Sequence, residues 1–330
     1  MKAVILNKDF KLEDAFIEKP QVKKNEVLIQ IKASGFNPID YQMLENELER
    51  KLISSPILGR ELSGVVVDRG ADVTQFNIGD EVFCGSGSMG SNGTYAEYIS
   101  APEAIVALKP KNISFEQAAS IPSAGLTSLQ IFKRLKLQPE QTILITGAAG
   151  GVGSFLIKIL LAHSIQNFII TVGSEENKQM FLNLGLKEHQ IVNYREENLA
   201  ENILKANQHQ PFDIGIDLVG NYMAEVMAEV LKINGTYVDV TALVTKEAHE
   251  LLFNKGTLIM TISNYAYSMV KQYEYYKNSL EEIAGLIENG TLSPSQHKII
   301  GTLSLDTVLK AHSILKNNQT QGHKLIMKNS

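Results

Sequence analysis

Cysteine is nearly absent from this chain. Cys84 is the only one in 330 residues, so no disulfide can close within the chain, and a reducing compartment suits the composition. Histidine is missing from the whole first part, the first being His163. A catalytic zinc needs about three ligands from Cys, His, Asp or Glu, and a structural one about four, mostly thiolates. This inventory predicts no bound zinc. No apolar run reaches the ~18 residues of a membrane span, and the opening MKAVILN is too short for a signal peptide. A cytoplasmic location is the expectation. Charge of one sign is lacking too: the formal net charge is -5 and the lysines are scattered, which speaks against nucleic acid as the main partner. With 44% hydrophobic residues and no low-complexity tract, the chain is long enough for about two domains with their own cores.

What is present is one informative stretch, Thr142 to Leu160, TILITGAAGGVGSFLIKIL. Its apolar run Ile143 to Ile145 reads as a buried parallel strand. Gly147, Gly150, Gly151 and Gly153 follow, and let the backbone turn sharply and approach a ligand closely. Ala149, Gly150, Gly151 and Val152 then open a helix whose apolar positions, Val152, Phe155, Leu156, Ile159 and Leu160, keep helical spacing. Its orphan N–H groups and positive dipole end would face a pyrophosphate. Ala148 takes the first glycine position of the G-x-G-x-x-G dinucleotide fingerprint, so the match rests on the order of strand, turn and helix. An NAD site places Asp or Glu about 20 residues further on, for the ribose 2'-hydroxyl. Here the second strand, FIITVG, ends at Gly173 and is followed by Ser174, with Lys178 on the first turn of the next helix. That leaves room for a 2'-phosphate and offers a hydroxyl and a cation, so NADPH is favoured, although Glu175 and Glu176 work against it.

Residues 1 to about 120 carry short β-like runs, Val27 to Ile31, Gly64 to Asp68, Glu81 to Phe83 and Tyr95 to Ile99, which predict a small barrel or sandwich. From Thr142 onward, strands at Ile143, Phe168, Ile191, Asp213, Thr236 and Thr257 alternate with helical stretches. This is the pattern of a doubly wound parallel sheet. The tail holds a helix over Gln272 to Glu288 and strands near Lys298 to Leu303 and Lys324 to Met327, and is expected to rejoin the first domain. Tyr273, Tyr276, Leu280, Ile283 and Ile287 read as a core-facing helical stripe. Cys84 has no histidine near it in sequence and reads as a small loop-edge residue, not a nucleophile. His163, His249 and His312 lack partners at metal spacing and are given no role.

Seven segments carry a family resemblance: Gly35-Phe-Asn-Pro-Ile-Asp-Tyr41, Pro56-Ile-Leu-Gly-Arg-Glu-Leu-Ser-Gly64, Gly79-Asp-Glu-Val82, Gly93-Thr-Tyr-Ala-Glu97, Ala124-Gly-Leu-Thr127, Ala148-Ala-Gly-Gly-Val-Gly153 and Asn193-Tyr194. In this order the chain resembles a medium-chain dehydrogenase/reductase, and is similar to the zinc-independent quinone oxidoreductase, or zeta-crystallin, group. The resemblance implies an α/β fold: a Rossmann NADPH-binding domain, 122–258, inserted in a GroES-like all-β catalytic domain, 1–121 and 259–330. It also implies that cofactor and substrate meet in the cleft, and that a homodimer forms through the sheet edge at Thr257 to Ile262. Where zinc-dependent relatives carry Gly-His-Glu, this chain has Gly59-Arg60-Glu61, and a guanidinium does not deprotonate to bind metal.

The implied chemistry is hydride transfer from NADPH to a quinone or to the β-carbon of an α,β-unsaturated carbonyl. Negative charge then gathers on the carbonyl oxygen and must be met by hydrogen-bond donors. Asn37 and Tyr41, with Asp40 beside them, border the nicotinamide in relatives and are the catalytic candidates. Thr127 matches a nicotinamide contact, and Tyr194 a position near the adenosine. Gly220, Val240 and Thr241 match the far side of the pocket. Lys324 matches a step near the last strand that can border the cofactor, and Leu44, Met89 and Tyr265 would line the acceptor pocket. Two other functions share these residues: an NADPH-binding redox sensor or scaffold without turnover, and an enoyl-thioester reductase.

Overall fold

The computed structural model describes residues 1–51, 53–87 and 93–329, apart from the side chains of residues 48 and 49. Met89 lies outside the described residues. The chain forms two compact units, one of Met1–Leu126 with Asn264–Ser330 and one of Thr127–Ser263.

The unit Thr127–Ser263 is built on six parallel strands. Across the sheet they run Ile191–Asn193, Phe168–Val172, Ile143–Ile145, Phe212–Asp217, Leu231–Asp239 and Leu258–Thr261. In chain order this is third, second, first, fourth, fifth, sixth, the Rossmann arrangement. Neighbouring side chains on a strand point to opposite faces, so Ile143 and Ile145 join one apolar core and Leu144 the other. Helices cover both faces, which is why these strands read as unbroken apolar runs. The direction of winding reverses between Ile143–Ile145 and Phe212–Asp217, and ligands in open parallel sheets sit at such a reversal, outside the carboxyl ends of the strands. From the sequence the second boundary is expected at 258/259. The strand Leu258–Thr261 instead pairs in parallel with Leu231–Asp239 as the sixth strand of this sheet, and the unit ends at Ser263.

In the other unit one sheet runs His297–Thr302, Lys324–Lys328, Glu26–Gly35, Glu61–Arg69, Glu81–Cys84 and Val106–Leu108, and Tyr98–Pro102 also pairs with Glu26–Gly35. A hairpin, Lys2–Leu6 with Leu12–Phe16, stands beside it. The tail does rejoin the opening segment: Lys324–Lys328 pairs antiparallel with the end of Glu26–Gly35. Gly35 is opposite Ile326 on one side and Glu61 on the other. A Cβ at Gly35 would stand 2.5 Å from Glu61 Oε1 and 2.6 Å from the Ala119 carbonyl, so only glycine fits this approach. The run expected over Tyr95 to Ile99 begins as a strand only at Tyr98. The backbone of Tyr95 is spent elsewhere, donating to Leu58 O at 3.0 Å and accepting from Val4 N at 2.9 Å. The stripe on the helix Glu274–Glu288 faces inward, with Tyr276, Leu280, Ile283 and Ile287 all buried. Among the described residues no helix is long and apolar enough to cross a membrane.

Candidate functional site

In the unit Thr127–Ser263 the chain leaves the strand Ile143–Ile145 through Thr146 and turns at Gly147, whose φ of +67° is the left-handed conformation that suits glycine. Gly150 precedes the helix Gly151–Ala162, and no side chain caps that helix. Its first N–H groups are thus open to an anion. At Gly153 a Cβ would stand 2.5 Å from the Gly147 carbonyl oxygen and 2.7 Å from Ala148 Cα. Helix and turn could not come this close around any other residue. Ala149 and Val152 flank the turn, half-buried.

One carboxylate fixes this turn. Asp217, fully buried at the end of the strand Phe212–Asp217, accepts from Thr146 Oγ1 at 2.8 Å and from Tyr237 Oη at 2.6 Å. It also accepts the N–H groups of Val219 and Gly220, at 2.9 and 3.0 Å. Asp239 does the same one strand further on, accepting from the backbone of Thr241 and Ala242. Gly220, at φ +75°, lies directly against the Thr241 side chain. Gly220, Val240 and Thr241 are therefore gathered at the carboxyl ends of neighbouring strands. Nothing local in the sequence marks Asp217 as the group that holds them.

Gly173 is buried beneath Tyr194, whose hydroxyl a Cβ at Gly173 would overlap. Ser174 caps the helix Glu175–Asn183, its hydroxyl accepting from Asn177 N at 3.3 Å. Lys178 turns its ammonium to Glu188 at 2.8 Å. Thr127 lies half-buried on the helix Pro122–Leu135.

The unit Met1–Leu126 with Asn264–Ser330 has a cluster of its own. Lys324 Nζ donates to Asn37 Oδ1 at 2.6 Å and pairs with Glu61 Oε1 at 2.5 Å. Asn37 Nδ2 donates to that same Glu61 oxygen at 2.8 Å, and Ser123 N to the other. A cation on its oxygen and an anion on its nitrogen fix the orientation of the Asn37 amide. One N–H of that amide remains to donate. The Glu61 side chain is fully buried and that of Lys324 only 7% exposed, a setting in which an ion pair persists only when its remaining hydrogen bonds are satisfied.

Asp40 accepts from Asn37 N at 2.8 Å, closing the first turn of the helix Pro38–Glu45. Burial raises the Asp40 pKa to about 6, against the lowering pull of the Asn37 N–H, the Arg60 guanidinium and the Tyr95 hydroxyl. Tyr95 is fully buried and its hydroxyl shares a 3.3 Å hydrogen bond with His312 Nε2. Burial lowers the His312 pKa to about 4. His312 thus belongs to a buried polar chain behind Asn37, a place that histidine spacing along the sequence does not disclose. Tyr41, next to Asp40, is half-buried, and its hydroxyl has no hydrogen-bond partner among the described residues. Cys84 ends a strand rather than edging a loop; it is buried, and desolvation pushes its thiol up to about 12.

Two family models match the chain: the alcohol dehydrogenase GroES-like domain over residues 23–111, and the zinc-binding dehydrogenase domain over residues 186–326. A zinc-type alcohol dehydrogenase-like protein of Staphylococcus aureus (strain COL) is 28% identical, with 99% of each chain covered. A mitochondrial NAD(P)H oxidoreductase of Dictyostelium discoideum is also 28% identical, over 94% of this chain and 93% of its own. The solved quinone oxidoreductase of Coxiella burnetii superposes with a TM-score of 0.81 at 28% identity, covering 99% of both chains. The chain belongs to the medium-chain dehydrogenase/reductase superfamily.

Metal is the point on which the descriptions of these superfamily relatives differ, and the residues here do not fit one. Arg60 Nη2 donates to the Gly87 carbonyl at 2.6 Å. Glu61 is occupied by Lys324, Asn37 and Ser123. Among the described residues no group of three or more His, Cys, Asp or Glu is placed to hold an ion.

Proposed function

We propose that this medium-chain dehydrogenase/reductase is an NADPH-dependent oxidoreductase that reduces a quinone, or the β-carbon of an α,β-unsaturated carbonyl, without zinc. The observation that carries the reading is the uncapped glycine turn at the reversal of strand order, with Gly220 and Thr241 gathered at the neighbouring strand ends. The named activities of the Dictyostelium and Coxiella relatives support it.

When bound, the nicotinamide supplies a hydride. The N–H groups of Gly151 and Val152 would hold the pyrophosphate, and Gly220, Val240 and Thr241 would line the nicotinamide end. Asn37 offers its remaining amide N–H in an orientation fixed by Lys324 and Glu61. Tyr41 donates its phenol to the carbonyl oxygen that gathers charge. Loss of one such donor costs on the order of 100-fold to 1000-fold in rate.

Stopped-flow oxidation of NADPH with a panel of quinones and enones is expected to show turnover that a zinc chelator leaves unchanged. In Tyr41→Phe, kcat should fall about 100-fold while KM stays close to wild type. No oxidation with any acceptor would remove the enzyme reading; full turnover by the variant would remove Tyr41 as donor.

We propose in addition that the chain forms a homodimer through its sheet edge. The strand Leu258–Thr261 is the last of its sheet and exposes Leu258 and Ile259, and an open apolar edge pairs readily with a second copy. Sedimentation velocity should report a dimer that Leu258→Lys dissociates; a wild-type monomer would exclude it.

A further inference from the structure

The sequence offers Lys178 as the cation for a 2'-phosphate, but the structure gives that ammonium another partner. Lys178 Nζ lies 2.8 Å from Glu188 Oε2. Glu175 and Glu196 also act on it, and with Glu188 they hold its pKa above the ordinary value. A dianion approaching Lys178 would meet these carboxylates first.

Arg195 stands differently. It is exposed and makes no ion pair among the described residues, and its guanidinium sits over the Tyr194 ring, 6.0 Å from the centroid. Tyr194 is anchored at the end of the second strand: its N–H donates to Val172 O at 2.9 Å, and its hydroxyl end covers Gly173. Arg195 N donates to Asn193 Oδ1 at 3.0 Å, which fixes the turn that carries both residues. This strand end is where Rossmann sheets discriminate the 2'-position of the ribose. An arginine held within cation–π reach of an aromatic face, without an ion pair, keeps its planar fork of donors available, and that fork matches phosphate in two-pronged fashion.

We infer that Arg195, beside Tyr194, is the residue of this chain that recognises the 2'-phosphate of NADPH, while Glu188 withholds Lys178 from it. The inference rests on the nicotinamide-cofactor reading above and deepens it. Fluorescence titration of the full-length protein with NADPH and with NADH tests it, using wild type, Arg195→Gln and Lys178→Gln. Both positions lie at the surface, so both variants should keep the wild-type melting temperature.

Arg195→Gln is expected to weaken NADPH about tenfold to hundredfold, the worth of a charge-assisted hydrogen bond, and NADH less than about twofold. Lys178→Gln should change either by less than about fivefold, because exposed ion pairs contribute little. A larger selective loss of NADPH in Lys178→Gln would overturn the inference. So would an equal loss of both nucleotides in Arg195→Gln. If wild type binds neither nucleotide, the cofactor reading itself fails, and this inference with it.

Discussion

Lys324→Met is expected to cost about 3–5 kcal/mol of stability, the usual result of removing one partner of a buried ion pair. Among the described residues Glu61 would keep the Asn37 amide and the Ser123 N–H, with its carboxylate fully buried and the Lys324 charge gone. The native pair need not be strongly stabilising for this to hold, because the cost lies in the uncompensated charge that remains. The double variant Lys324→Met/Glu61→Gln removes that charge and should regain most of the loss. It would still leave the Asn37 amide without the cation and anion that orient it, so turnover should stay depressed after stability has returned. Urea unfolding followed by tyrosine fluorescence, alongside kcat, separates the two effects. A Lys324→Met midpoint indistinguishable from wild type would show that Glu61 finds water or another partner.

The second large effect is concealed in the wild type and should appear only in variants. Asp40 and His312 lie on either side of Tyr95, and their pKa values are displaced in opposite directions across the same pH range. For Asp40, raised from 3.8 to about 6, the folded state gains from protonation: that stability is fully present below 3.8 and lost as pH rises through about 6. For His312, lowered from 6.5 to about 4, the stability is present above 6.5 and lost as pH falls through about 4. At about 1.4 kcal/mol per pH unit, each is worth ~3 kcal/mol.

Between about pH 4 and 6 the two nearly cancel, so wild-type stability should be flat there. The charged and polar groups facing Asp40 are Arg60, Glu61, Tyr95 and the Asn37 N–H; those facing His312 are Tyr95 and Glu45. None of these five residues is altered by Asp40→Asn or His312→Gln. Asp40→Asn should lose stability as pH falls from 6.5 to 4, and should exceed wild type by up to ~3 kcal/mol at pH 8. His312→Gln should gain stability over the same fall. Variants whose pH profiles run parallel to wild type would show that the two groups titrate normally.

The contrast between what the sequence discloses and what it conceals has a physical basis. Buried parallel strands must be apolar on both faces, so Ile143–Ile145 and its neighbours stand out as short apolar runs bounded by turns. The glycine turn is legible because Gly147 and Gly153 occupy positions that a Cβ would spoil. Partnerships between distant residues leave no local pattern. Asn37 and Lys324 are 287 residues apart, and Tyr95 and His312 are 217 apart. Their meeting depends on how Glu26–Gly35 pairs with the last strand, a register fixed by tertiary packing. Lys178 shows another limit: helical periodicity places its backbone at the start of a helix, whereas the long, flexible stem is free to reach Glu188.

The tail that completes the sheet of Glu26–Gly35 also sets a timetable. A ribosome adding about 5–20 residues per second delivers Lys324 some 15–60 s after Asn37. The unit Thr127–Ser263 is continuous in sequence and can close as soon as it emerges. The strands before it must wait for a partner strand that is still to be made. Throughout that interval Glu61 lacks the Lys324 ammonium, so the newborn chain carries a finished central segment and a first segment whose sheet is still incomplete.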